Sequence, residues 1–284
     1  MALGNLGLRL AIVGLVAGLA GFGDAAAAPD AAIVVDAKSG KVLYSDQPDA
    51  KRHPASLTKM MTLYMLFGAI ESRQVGLRTN IAVSAHCRGQ APTKLGFKPG
   101  ETIEVRDAIL ALVTKSANDV ACAVGEHFGG SESAFADAMT VRARQLGMTQ
   151  TVFRNASGLP NNAQVTTARD MAILGRALQK NYPKYFKYFS VKSFEWKGRA
   201  YPNHNRLLGR VKGVNGIKTG YTRASGYNLV ASAKRGRREI IAVVLGGDTG
   251  KDRDARTTAL IKEFLGRSRN ARRIWRRRDR KSVV

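Results

Sequence analysis

Acidic residues are scarce in this chain: 21 Asp and Glu stand against 46 Lys and Arg in 284 residues, a formal charge of +25. Cysteine is scarcer, with only Cys87 and Cys122. Nothing in their spacing demands a disulfide, and Cys122 follows Val120-Ala121 in an apolar helical stretch, so the expectation is two unpaired thiols. The chain has no Gly-x-Gly-x-x-Gly fingerprint and no Gly-Lys-Ser/Thr loop, which excludes the two common nucleotide cradles. There is no internal repeat. The apolar run Leu10 to Phe22 falls short of the ~20 residues that span a bilayer. What is present is enough hydrophobic sequence, 44%, for one large domain or a domain with an inserted lobe.

Arg9, the short apolar run and Ala25-Ala26-Ala27-Ala28 form the pattern of a secretory signal. Residues 1–27 are expected to be removed after Ala27, leaving an enzyme domain over 28–266 and a basic tail over 267–284. Export implies a periplasmic site of action, peripheral at the inner membrane if the tail adsorbs there. It also argues for cofactor-free hydrolysis and against a nucleic-acid partner, despite the charge. The tail carries nine Lys and Arg against Asp279 alone. Two readings stand beside each other: a solvated end, or electrostatic contact with anionic membrane or wall polymer around Ile274-Trp275.

The segments Ala31 to Asp36 and Lys41 to Tyr44, either side of Lys38-Ser39-Gly40, read as a hairpin. A largely buried helix begins near Ser56 and runs to Ile70. Helical periodicity over Val105 to Thr114, Asn118 to Phe128, Ser133 to Leu146 and Thr167 to Asn181 suggests one inserted helical lobe. Gly226 to Lys234 and Glu239 to Gly246 read as a second hairpin, and Arg253 to Leu265 as a closing helix. Strands at both ends with helices between them predict an α/β (α+β) fold.

Within this frame, Ser56 and Lys59 are one helical turn apart and share a face. A serine needs a base to become a nucleophile, and a lysine discharged by burial and by a nearby cation such as Lys218 can serve. The helix N-terminus offers backbone N–H groups to a developing oxyanion. Ser56-Leu57-Thr58-Lys59, Ser116-Ala117-Asn118 and Lys218-Thr219-Gly220 occur in that order, while Ser268-Arg269-Asn270 follows them all and is a decoy. Each motif is weak by itself; the ordered set is specific.

This ordered set resembles the active-site motifs of penicillin-binding proteins and serine β-lactamases. Pro54 to Thr62, Phe153 to Pro160 and Gly216 to Thr222 make the likeness strongest to the low-molecular-mass D-alanyl-D-alanine carboxypeptidases, over about residues 30–266. The resemblance implies a β-lactamase/transpeptidase-like fold, an antiparallel sheet flanked by helices with a helical insertion. It implies that Ser56 attacks the peptide bond between two terminal D-alanines of a peptidoglycan stem peptide, with Lys59 as general base and no metal or cofactor. Ser116 would relay a proton to the leaving amine, and Asn118 would hold the substrate amide and Lys59. Lys218 would tune the field around Ser116, and the N–H groups of Ser56 and Tyr221 would bind the oxyanion beside Gly220. Thr219 and Arg253, in preference to Arg256, would hold the free carboxylate. β-Lactams would be covalent inhibitors.

The rival readings are a DD-endopeptidase, a β-lactamase and a silent cell-wall binding module. Class A lactamases deacylate through a glutamate, yet Phe153 to Gln164 contains no acid, so a long-lived adduct is expected. A silent module has no need for the whole constellation. Family members often continue into a β-rich domain and a membrane helix, neither of which is expected within the eighteen residues after Gly266.

Overall fold

The computed structural model describes Met1 and residues 30–266. The signal expected over 1–27 and the basic tail, with its Ser268-Arg269-Asn270 decoy, lie outside the described residues. In chain order the elements are β1 (Ala31–Asp36), β2 (Val42–Asp46), a 3-10 turn (Ala55–Thr58) and α1 (Lys59–Glu71). Then come β3 (Asn80–Ala82), α2 (Ala85–Arg88), β4 (Thr102–Glu104), α3 (Val105–Val113), α4 (Asn118–Gly129) and α5 (Glu132–Gln145). The chain returns through α6 (Ala168–Asn181), α7 (Pro183–Phe186), β5 (Ser193–Trp196) and β6 (Arg199–Pro202). It closes with β7 (Val214–Thr222), β8 (Gly226–Arg235), β9 (Arg238–Gly247) and α8 (Gly250–Gly266).

Five strands form one antiparallel sheet in the order β2-β1-β9-β8-β7. Because successive side chains point to opposite faces, Ala31, Ile33 and Val35 of β1 enter one core while Ala32 and Val34 enter another. The second core is closed by Leu260, Ile261 and Leu265 of α8. The first, larger core is shared by α1, α6 and the helices beyond them. The N-terminal hairpin, the C-terminal hairpin and the closing helix therefore form as their sequences predict.

One helix of the expected lobe belongs elsewhere. α6 packs on β9, β1 and β8, and Gln179 donates to Ser232 Oγ at 2.6 Å. Its periodicity reports a buried face without saying what covers it. The lobe proper is α2 to α5 with the β3–β4 ribbon, and α1 runs between it and α6. β7 was not apparent as a strand, since Gly216 to Gly220 has no alternation of apolar and polar residues.

The cysteines correct a second expectation. Cys87 and Cys122 are joined in a disulfide, with Cα atoms 5.3 Å apart and a sequence separation of 35. Ser84 accepts the Cys87 N–H at 3.1 Å and starts α2, which carries Cys87 against α4. That meeting of two helices is a tertiary event, invisible in spacing.

Candidate active site

Ser56 sits in the 3-10 turn that feeds α1, and Lys59 is the first residue of α1 proper. α1 buries Met60, Met61, Leu63, Leu66 and Phe67, so its N-terminus is carried into the interior with Lys59 fully buried. Lys59 Nζ lies 3.2 Å from Ser56 Oγ, 2.7 Å from Asn118 Oδ1 and 2.5 Å from the carbonyl oxygen of Ser157. Two of these partners only accept, so a neutral amine donates its two hydrogens to them and turns its lone pair toward the Ser56 hydroxyl. Burial, and then the neighbouring Lys218, hold the Lys59 amine well below the usual lysine value, against the opposing pull of Glu132 and Asp119. Such an arrangement can take a proton from the Ser56 hydroxyl.

The turn carrying Ser56 is clamped on two sides. On one, Gly158 has φ +86°, and a Cβ there would meet the carbonyl oxygen of Ala55 at 1.9 Å, so only glycine lets the Ser157-Gly158 loop close on Lys59. On the other, the turn packs against β7, the edge strand of the sheet, where a Cβ on Gly220 would lie 3.1 Å from Ser56 N. Gly220 and Tyr221 are thereby next to the Ser56 amide. Tyr221 is 54% exposed and stacks on Tyr227 at 4.2 Å.

Ser116 and Asn118 come from the turn between α3 and α4. Ser116 has φ +60°, and its buried Oγ has no hydrogen-bond partner, leaving it free for a bound molecule. Asn118 bridges Lys59 and the Ala91 carbonyl, to which its Nδ2 donates at 2.8 Å. Lys218 is buried beside Thr219, to whose carbonyl it donates at 3.0 Å. Burial and the Arg253 guanidinium lower it to about 7.

Ser56, Ser116, Thr219, Gly220, Tyr221 and Arg253 line one cavity of about 380 Å³. Arg253 is buried at its end, donating through Nε to Asp254 at 2.8 Å and through Nη1 to the Asn228 carbonyl at 2.9 Å. Arg256 points elsewhere and pairs with Asp30 and Asp46, each at 2.7 Å. His86, Cys122 and Glu126 bring possible metal-ligand atoms within 4.8 Å of one another, but the Cys122 sulfur is bridged to Cys87.

Some cleft residues escaped sequence reasoning. His204, Arg206 and Lys251 line the same cavity. His204 is solvent-exposed, yet partial desolvation, then Lys218, Lys115, Lys59 and Arg206, lower its imidazole to about 4. Asn228 is fully buried and joins three parts of the site. Its Nδ2 lies 3.0 and 3.3 Å from the His53 and Pro54 carbonyls, its Oδ1 accepts the Gly246 N–H, and its carbonyl accepts from Arg253. A lone Asn at the head of the apolar β8 run was the available signal.

An antiparallel sheet with a helical lobe, and a Ser-x-x-Lys pair opposite a Lys-Thr-Gly edge strand, define the β-lactamase/transpeptidase-like class. Within it the chain belongs to the D-alanyl-D-alanine carboxypeptidase family, peptidase S11, whose model matches residues 22–249. It is 38% identical over 228 residues to the D-alanyl-D-alanine carboxypeptidase DacC of Escherichia coli, covering 78% of this chain and 57% of that protein. The structure of penicillin-binding protein 5 from Haemophilus influenzae is similar with TM-score 0.80 and 31% identity, over 83% of this chain and 70% of that one. Penicillin-binding protein D2 of Listeria monocytogenes, solved in an ampicillin-bound form, is similar with TM-score 0.74 and 29% identity, over 81% and 95% of the two chains. The chain spans 57–60% of the length of the first curated relatives it matches.

Proposed function

We propose that this chain is a penicillin-sensitive serine carboxypeptidase that removes the terminal D-alanine from D-Ala-D-Ala ends of peptidoglycan stem peptides. The observation that carries this reading is the convergence of a hydroxyl, a buried amine of lowered pKa, a second hydroxyl without a hydrogen-bond partner and a buried guanidinium around one cleft. Ser56 Oγ adds to the scissile carbonyl as its proton passes to Lys59. The oxyanion is held by the N–H groups of Ser56 and Tyr221. The C–N bond breaks, the departing amine takes up the proton through Ser116, and D-alanine leaves. Water then adds to the Ser56 ester, Lys59 accepts its proton, and the acid and free Ser56 are regenerated. Asn118 orients the substrate amide, and Thr219 with Arg253 binds the C-terminal carboxylate.

β-Lactams acylate the same serine. The ampicillin-bound relative supports this. So does the Phe153 to Gln164 loop, which turns the Ser157 carbonyl and no acid toward Lys59. Glu132, the acid that acts on Lys59 from α5, accepts the Ala156 N–H at 3.0 Å. We further infer work outside the cytoplasm after removal of residues 1–27, with the basic tail on anionic membrane or wall polymer; the disulfide suits an oxidising compartment.

The test is release of D-alanine from a peptide ending in D-Ala-D-Ala by the full chain and by Ser56→Ala. Release by wild type alone is expected. Equal release by both would remove Ser56 from the mechanism.

A further inference from the structure

The Cys87–Cys122 bridge takes no part in the chemistry above, yet it lies beside the groups that shape the Ser116-Ala117-Asn118 turn. Both cysteines are fully buried. The chain leaving α2 crosses directly over that turn. Ala91 accepts from the Asn118 side chain at 2.8 Å, and the Thr93 carbonyl accepts the Asn118 N–H at 2.7 Å. Thr93 Oγ1 lies 3.0 Å from both the Lys115 and Ser116 carbonyls, sharing its one hydrogen between them. Farther on, the N–H groups of Leu95 and Gly96 donate to the buried Asp119 carboxylate at 3.0 and 2.9 Å.

These contacts have a physical purpose. A non-glycine residue at φ +60°, as at Ser116, persists only where its surroundings over-determine it. The segment that over-determines it starts from α2, which is only four residues long. A single turn does not hold itself by its own hydrogen bonds. The disulfide supplies the missing anchor by fixing α2 to α4, the helix that the turn begins.

We propose that the disulfide and Thr93 form a positioning clasp for Ser116 and Asn118. The bridge fixes one end of segment 87–96 on α4, and Thr93 locks the carbonyls of the turn. Ser116 Oγ is thereby kept aimed into the cleft. Ser56 and Arg253 are held by other elements, and Lys59 is held by burial as well as by Asn118, so loosening the clasp acts on proton transfer during acylation far more than on initial binding, which the carboxylate site dominates. This inference rests on the reading of Ser56 as the acylated nucleophile.

The experiment uses the full oxidised chain and a fluorescent penicillin, separating the acylation rate constant from the noncovalent dissociation constant by concentration dependence. Thr93→Val is expected to slow acylation about 10- to 100-fold, with Thr93→Ser restoring it, as a small misplacement of a reacting group does. The double variant Cys87→Ala/Cys122→Ala is expected to slow it about 3- to 10-fold, for the same reason. Dithiothreitol, which becomes a cyclic disulfide as it reduces the bridge to two thiols, should reproduce that fall in wild type and change nothing in the double variant. In each case the dissociation constant stays within about twofold of wild type, because the carboxylate site is untouched.

Unchanged acylation in protein that is folded and lacks the bridge overturns the clasp, as does a Thr93→Ser variant as slow as Thr93→Val. If the double variant does not fold, reduced wild type and the Thr93 pair decide by the same criteria. Absence of any adduct in wild type overturns the functional reading instead.

Discussion

Ser56 and Lys59 stand where α1 is buried on nearly every side, whereas Ser116 and Asn118 stand on a turn held by side-chain hydrogen bonds and one disulfide. The first half of the cleft is positioned by packing and is stiff because interiors are close-packed. The second is positioned by polar tethers around a left-handed serine. The Lys59 amine thus gains its pKa shift from the same burial that places it, while the buried Ser116 hydroxyl is left without a hydrogen-bond partner.

The largest expected effect falls on the packed half. Lys59→Ala should slow penicillin acylation about 1,000-fold, the range for loss of a general base, while Ser116→Ala on the tethered half should cost about tenfold less. Rate constants from labelled-penicillin kinetics check this, and equal losses would break the distinction between the halves. Next in size, Arg253→Ala should raise KM for a D-Ala-D-Ala peptide about 10- to 100-fold by removing a charge-assisted carboxylate contact, with kcat little changed. Arg256→Ala, whose partners are Asp30 and Asp46, should leave both constants near wild type.

A smaller effect, on stability, probes the clamp over Ser56. Gly158→Ala places a methyl group against the Ala55 carbonyl at positive φ and should cost about 2 kcal/mol or more in denaturant unfolding. The last concerns pH. Lys218 titrates near 7 in the folded protein and near the ordinary lysine value of 10.5 when unfolded, so between those values the unfolded chain binds more protons. Stability should therefore rise as pH rises through that window, and Lys218→Met should flatten the rise in a thermal-melt series. Acylation should also rise with pH as Lys59 loses its proton, with its midpoint well below that of an ordinary lysine.

Much of this was legible before any fold was known. The buried helix after Ser56 follows from an apolar run unbroken by Gly or Pro until Gly68, both sheet hairpins from extended segments around turn residues, and the closing helix from its apolar spacing. β7 and the short β3–β4 and β5–β6 ribbons were not legible, because three- or four-residue strands and a glycine-interrupted edge leave no period to read. The placement of α6 on the sheet was lost for a different reason: amphipathicity reports that a face is buried and is silent about its partner. Asn228 and His204 carried no motif, and their importance lies in what surrounds them.

The order of the three motifs, the α/β frame and the family are properties of the sequence itself, since residue type and local spacing suffice for them. The lowered pKa of Lys59 and Lys218, the separation of Arg253 from Arg256 and the pairing of Cys87 with Cys122 belong to the tertiary structure. Each depends on burial or on groups far apart in the chain meeting within a few ångströms, and neither quantity is written in local sequence.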